Sequence, residues 1–251
     1  MREDNRIQPA AAGYLALADV SLYYRDYGDP DAPHTLLLLH GNGEDWRCFE
    51  HQVGPFTDAG YRVLTLDSRG HGRSSRGRLP MTPEQLAADA LDALDALGVR
   101  RAIPVGFSDG GNLALMMATL RPDALEALVA AGPNLVPAGA KLSAQLPCEL
   151  LTPPLRLLGK RLLGAKRKAD ILGLMVDQPQ LPFAALRSVT CPALILGGQY
   201  DMIRAGHLRH IAAALPNGRL WIQPGADHFV FRRPWAEATN RRVLAFLREV
   251  L

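Results

Sequence analysis

Cysteine is scarce in this 251-residue chain, and Cys48, Cys148 and Cys191 are widely separated with no C-x-x-C pair. An odd number of scattered thiols builds neither a disulfide framework nor a zinc site, so a reducing, cytoplasmic setting is expected. Long apolar runs are also missing. Residues 171–176, interrupted by Gly173, fall far short of the roughly 18–20 residues a membrane span needs. The opening residues 1–6 mix charges and lead into no apolar stretch, so neither a secretory signal nor stable membrane insertion is expected. Charge of one sign has little excess. The 28 Lys and Arg against 25 Asp and Glu leave +3 at neutral pH, too little to imply nucleic acid. With 48% hydrophobic and 21% charged residues the composition is that of an ordinary globular protein, which excludes disorder for most of the chain.

What is present is an alternation of short apolar runs with longer amphipathic stretches. Residues 14–17 and 21–27 read as an opening hairpin. Runs at 35–39, 61–66, 102–105, 125–131, 193–196 and 219–222 read as strands, the central ones continuously apolar as in a sheet buried on both faces. Between them, Thr82-Pro83-Glu84 opens a helix with an N-cap residue, a proline at the first helical position and an early acid, and Gly98 stops it. Further helices are expected from about Gly110 to just before Arg121, over 208–215 and over 234–250. This pattern predicts an α/β fold, a mostly parallel sheet with helices on both faces. Pro104 fits poorly, because proline removes a ladder donor from a central strand.

Residues 135–186 break the rhythm. No β signal occurs there, and prolines recur at 137, 147, 153, 154, 179 and 182. The expected organisation is one core domain, 1–134 with 187–251, carrying a short helical lid over 135–186. Within the lid, Lys160, Arg161, Lys166, Arg167 and Lys168 interleave with Leu157, Leu158, Leu162 and Leu163. The charges are read as a solvated helix face and the leucines as cover for an apolar acyl or alcohol pocket.

Gly106-Phe107-Ser108-Asp109-Gly110 matches G-x-S-x-G between an expected strand and an expected helix. With 23 glycines in the chain, roughly 0.06 matches are expected by chance, so context carries the weight. A nucleophile on a sharp strand-to-helix turn leaves no room for side chains two residues away. The helix N-terminus then aims free N–H groups at developing negative charge.

A serine hydroxyl needs a base, and the base an orienting acid. Of the 7 histidines, only His228 lies in a loop after the last expected strand; His207 and His210 read as surface residues of a helix. Asp201 follows another strand end, where functional groups of parallel sheets collect. Asp227, adjacent to His228, is the rival acid, poorly placed to reach the far ring nitrogen. Two backbone donors are expected to form an oxyanion hole, from Asp109 and from Asn42 in His40-Gly41-Asn42-Gly43. Gly41, Phe107, Asp109 and Phe229 are the candidate substrate contacts.

These motifs, with Asp67-Ser68-Arg69-Gly70-His71-Gly72-Arg73-Ser74 between them, resemble the α/β-hydrolase superfamily over nearly the whole chain. The resemblance implies that the Asp67–Ser74 loop is structural. A serine at position 108 sets the chain apart from the dehalogenase and epoxide-hydrolase branches, which carry aspartate there. The Gly-Phe-Ser-Asp-Gly-Gly elbow is similar to that of valacyclovir hydrolase-like enzymes, which implies a choice for Asp109 between holding a cationic ester and complementing a helix end. The expected activity is hydrolysis of small, largely apolar carboxylic esters through an acyl-enzyme, by a monomer or homodimer using no metal and no cofactor. C–C bond or thioester hydrolysis by the same residues, and a ligand-binding protein without catalysis, are the alternatives.

Overall fold

The alternation resolves into eight strands and seven α-helices across the described residues, 7–251, of this computed structural model. The reading of 1–6 as no secretory signal lies outside the described residues. In chain order the elements are β1 (Ala11–Ala16), β2 (Ser21–Tyr27), β3 (Thr35–Leu39), α1 (Val53–Asp58), β4 (Arg62–Leu66), α2 (Pro83–Ala96), β5 (Ile103–Phe107) and α3 (Asp109–Leu120). They continue with β6 (Leu128–Ala131), α4 (Leu142–Gly159), α5 (Leu163–Val176), β7 (Ala193–Gly198), α6 (Ala205–Ala214), β8 (Gly218–Gln223) and α7 (Ala236–Val250).

One sheet holds all eight strands in the order β1-β2-β4-β3-β5-β6-β7-β8. β2 is antiparallel to both its neighbours, and every later pairing is parallel. In β3, alternate side chains feed opposite faces. Leu36 and Leu38 join Phe56, Val243 and Phe246, while Leu37 and Leu39 join Leu86, Leu94 and Leu113. Each leucine buried this way contributes about 1.5–3 kcal/mol. Helices α1 and α7 therefore cover one face, and α2, α3 and α6 the other.

Two strands and one helix start three residues from where they are expected, the helix being α6, which begins at Ala205. Strand β1 starts at Ala11, not Tyr14, because Ala11 and Ala12 continue the register against Asp26 and Arg25. Strand β6 is shorter than 125–131, because Pro122–Ala124 makes a 3₁₀ turn and Leu125 touches β5 only through a single bridge to Ala102. That bridge accounts for Pro104. The Ala102↔Leu125 pairing and the Val105↔Val129 pairing differ by one residue, so the β5–β6 ladder slips at this point. Ala102 donates to Ala124 and Ser108 to Ala131, so the even-numbered donors of β5 face β6. Pro104 is one of these, and its missing N–H falls where the ladder is already broken.

Between β6 and β7 the chain leaves the sheet. Its ends belong to the core, since Leu135, Leu181 and Leu186 are buried in the cluster with α2 and α3. The stretch that stands away is the helical pair α4 and α5, packed on each other. Its root is stapled beside β7 by Lys141 N–H to Met202 and Arg204 N–H to Gly139. His207 takes part: it is half-buried, not a surface residue, and its Nε2 accepts from Leu135 N–H at 3.0 Å. No helix among the described residues is long and apolar enough to cross a membrane.

Candidate active site

The loops after β3, β5, β6, β7 and β8 all open at the carboxyl edge of the parallel strands, beside the point where the chain reverses direction across the sheet. Ser108 stands between β5 and α3 with φ 53° and ψ −116°, the one non-glycine residue with positive φ among those described. Such a conformation costs on the order of 1–3 kcal/mol and needs its surroundings to enforce it. The flanking glycines show how tight the turn is. A Cβ on Gly106 would sit 2.0 Å from the Gly110 carbonyl, and one on Gly110 would sit 1.9 Å from the Leu39 carbonyl.

The strained turn presents Oγ to His228. Ser108 Oγ lies 3.0 Å from His228 Nε2, and His228 Nδ1 lies 2.7 Å from Asp201 Oδ1. Histidine and aspartate are both buried. Asp201 is fixed in turn, accepting from Ile203 N–H at 2.8 Å and from Gly198 N–H at 3.1 Å. With Asp201 holding Nδ1–H, Nε2 is left to accept from the serine hydroxyl. Asp227 is exposed, and its Oδ1 accepts from Phe229 N–H, so it takes no part.

The loop after β3 faces the serine from the other side. His40 is buried, donating from Nδ1 to Gly41 O and accepting Ser68 N–H at Nε2, which ties this loop to the one after β4. Burial pushes the His40 imidazole below its ordinary value. The backbone N–H groups of Asn42 and Asp109 donate to no group among the described residues. Their side chains are joined: Asn42 Nδ2 donates to Asp109 Oδ2 at 2.8 Å and also to the Ile171 carbonyl of α5 at 2.8 Å. The other Asp109 oxygen accepts from Asn112 Nδ2 at 3.4 Å. Burial pushes the Asp109 carboxyl up to about 6, against these amide donors and the neighbouring His228.

The expected substrate contacts separate. Phe229 is exposed at the rim. Gly41 approaches the Phe107 ring closely, and its N–H is taken by Glu44 Oε2 at 3.2 Å. Phe107 needs correction. It is 4% exposed, its ring 5.0 Å from His228 and 6.3 Å from Phe231, and it packs beneath the imidazole instead of facing a substrate. The lid leucines need the same correction: Leu157, Leu158, Leu162 and Leu163 are all exposed, and Leu163 alone of the four lines a groove, beside Lys166 and Asp170 and away from Ser108.

In the loop after β4, Asp67 accepts from Trp46 N–H and Arg73 N–H, and buried Arg69 forks onto Asp89 and reaches Asp19. These bonds shape a wall, and His71 in the same loop is held through Nδ1 on the Arg69 carbonyl while its buried Nε2 has no hydrogen-bond partner among the described residues. Several contributors escaped the sequence reading. Asn112 accepts from Asn134 N–H and braces Asp109. Gly132, at φ +61°, lets the imidazole in, since a Cβ there would lie 2.6 Å from His228 Cε1. A glycine directly after a strand was the visible signal; the pairing with His228 was not.

A mostly parallel sheet with a serine, an imidazole and a carboxylate converging at its carboxyl edge defines the class of open-sheet α/β hydrolases. Residues 36–240 match the alpha/beta hydrolase family, and the chain belongs to it. It is 34% identical over 153 residues to a 2-hydroxy-6-oxo-6-phenylhexa-2,4-dienoate hydrolase of Comamonas testosteroni, a match covering 59% of this chain and 52% of that one. The chain thus spans about half of that relative's length. It is 28% identical to a bifunctional esterase/perhydrolase of Acinetobacter calcoaceticus, covering 94% of this chain and 99% of the other. A hydrolase structure from Pseudomonas aeruginosa PA01 superposes with TM-score 0.74 at 30% identity, covering 95% and 98% of the two chains.

Proposed function

We propose that the chain is a serine hydrolase that cleaves carboxylic esters of small, largely apolar substrates through an acyl-enzyme on Ser108. The observation that carries this reading is the continuous hydrogen-bond chain Ser108–His228–Asp201 on a strained turn. Ser108 Oγ attacks the ester carbonyl while His228 Nε2 takes its proton, and Asp201 stabilises the imidazolium. The carbonyl oxygen becomes an oxyanion facing the N–H groups of Asn42 and Asp109. Collapse breaks the C–O bond, and His228 returns the proton to the departing alcohol. Water, deprotonated by His228, then releases the acid and restores Ser108.

The engaged carboxyl of Asp109 gives cationic substrates no advantage over neutral ones. Both its oxygens are engaged by amides of the chain itself, which makes the carboxylate a brace and not an open counter-ion. We also assign the segment 135–186 as a cover over the 1–134 and 187–251 core, because α5 is pinned above the site by Asn42 and by Arg167 Nε to the Gly70 carbonyl at 2.9 Å.

A second reading keeps the same residues and cleaves a C–C bond, favoured by the Comamonas relative, whose name states a dienoate substrate. The two separate in one experiment. Purified protein is given p-nitrophenyl esters of increasing chain length and, separately, a vinylogous diketone followed by loss of its absorbance. Turnover of short and medium esters with Ser108→Ala slower on the order of 10⁴-fold supports the ester reading. Turnover confined to the diketone replaces it with C–C hydrolysis. Equal kcat/KM for charged and neutral esters of one size is the expected outcome for Asp109.

A further inference from the structure

Helix α4 is built inside out. Its inward stripe of Ala144, Gln145, Cys148, Thr152, Leu155 and Gly159 is mostly small or polar, and its two fully buried residues are Gln145 and Thr152. These are satisfied locally, Gln145 Nε2 donating to Met175 O at 3.1 Å and Thr152 Oγ1 to Cys148 O at 2.7 Å. Leucines take the opposite side and the turn that follows: Leu142, Leu150 and Leu157 of α4 and Leu163 at the start of α5 are 64%, 67%, 69% and 86% exposed. A water-facing helix is expected to show the reverse arrangement. Of the fifteen large apolar side chains exposed among the described residues, eight are leucines between 142 and 163. Singly exposed leucines are ordinary, but a concentration of this kind marks an interaction surface.

The charges around it choose the partner. From Leu142 to Val176 the helical pair carries six basic side chains and two acidic ones, an excess larger than the +3 of the whole chain. The rest of the molecule is therefore close to neutral. Lys160, Lys166, Arg167 and Lys168 lie within or beside the leucine-rich turn, and each is exposed. A second copy seated on this face would bring two such basic rims together, which like-charge repulsion opposes. Leucines flanked by lysine and arginine match an anionic lipid surface, whose acyl boundary takes the apolar side chains and whose phosphates take the cations.

We propose that the outer face of α4 and the α4–α5 turn dock reversibly on an anionic lipid surface, lying on it without crossing it. Docked this way, the helical pair places α5 between the lipid and the loop carrying Asn42. The docking does not depend on which bond Ser108 cleaves, and it is measured as binding.

The test is flotation of the full chain with vesicles of phosphatidylcholine alone and with about a third of phosphatidylglycerol, at low and high salt. Two variants accompany the wild type. One combines Leu150→Gln, Leu157→Gln and Leu163→Gln; the other combines Lys160→Glu, Lys166→Glu and Lys168→Glu. The expected result is wild-type flotation at least about tenfold stronger with the anionic vesicles, lost at high salt and lost in both variants. Melting temperature and hydrolysis of a soluble ester stay unchanged. If the leucine variant does not fold, the charge variant decides alone. Equal flotation with both vesicle types, or none with either, overturns the proposal. So does a dimer in light scattering that the leucine variant converts to monomer, which would assign the face to a second copy.

Discussion

At the scale of single residues, the site stores unfavourable features that only its packing sustains. The positive φ of Ser108 is one, and the buried carboxyl of Asp109 is another. Asp109 has its value raised from the ordinary 3.8 to about 6, so between those values the folded chain keeps a proton that the unfolded chain has lost. Its contribution is favourable below the lower value and is lost as pH rises through the upper one. Asp109→Asn is expected to gain about 1–2 kcal/mol of stability relative to wild type near neutral pH, shrinking towards zero at acid pH. Denaturant titrations of both proteins across that range check it. His71 works in the opposite sense. Burial lowers its imidazole from 6.5 to about 4, so the unfolded chain takes up a proton that the folded one refuses. Stability from His71 is present above 6.5 and lost as pH falls through about 4. His71→Gln is therefore expected to flatten the acid limb of the stability curve, measured as melting temperature against pH. A limb as steep as that of wild type would remove His71 from the explanation. Sequence showed Ser108, Asp201 and His228 because each sits in a local pattern of glycine and strand end. It did not show that Asp109 is held by Asn112 and Asn42, because those contacts join residues brought together only by the fold.

Elements explain how these residues are kept in place. The carboxyl ends of β3 and β5 each deliver one candidate oxyanion donor, and a single side-chain bond from Asn42 to Asp109 spans them. Asn42→Ala retains its backbone N–H but loses this brace and the tie to α5. Its kcat is expected to fall about tenfold, with KM nearly unchanged, since a misplaced donor weakens the transition state more than the ground state. A rise in KM alone would show that Asn42 binds substrate instead. The end of β6 offers a sharper steric test: Gly132→Ala drives a Cβ into His228, so activity is expected to fall by at least about 10²-fold in a folded protein. Retention of full activity would mean the imidazole has freedom to move. The buried strands were legible because continuous apolar runs in an α/β alternation have few other homes. The interruption at Pro104 was visible only as a misfit, because the slip between β5 and β6 is a property of pairing. Of the leucines expected on one inward helix face, Leu157 and Leu158 end α4, Leu162 and Leu163 lie across the turn into α5, and all four are exposed. Periodicity identifies an apolar face, but it does not say what that face meets.

For the molecule as a whole, the order Ser108, Asp201, His228 along the chain follows from the strand order. Each residue leaves a different parallel strand at the same edge of one sheet. The core that fixes this edge is built from both clusters, so core damage should reach the site through stability. Leu38→Ala, fully buried in β3, is expected to cost about 2–5 kcal/mol in unfolding free energy. The same substitution should leave kcat of the folded fraction close to that of wild type. The central claim is that this sheet edge makes Ser108 a nucleophile. It is tested most directly by treating the protein with a fluorophosphonate and mapping the adduct by peptide mass spectrometry. A single adduct on Ser108, absent from Ser108→Ala and strongly slowed in His228→Ala, is the expected result. A folded protein with no adduct, or with one elsewhere, would contradict it.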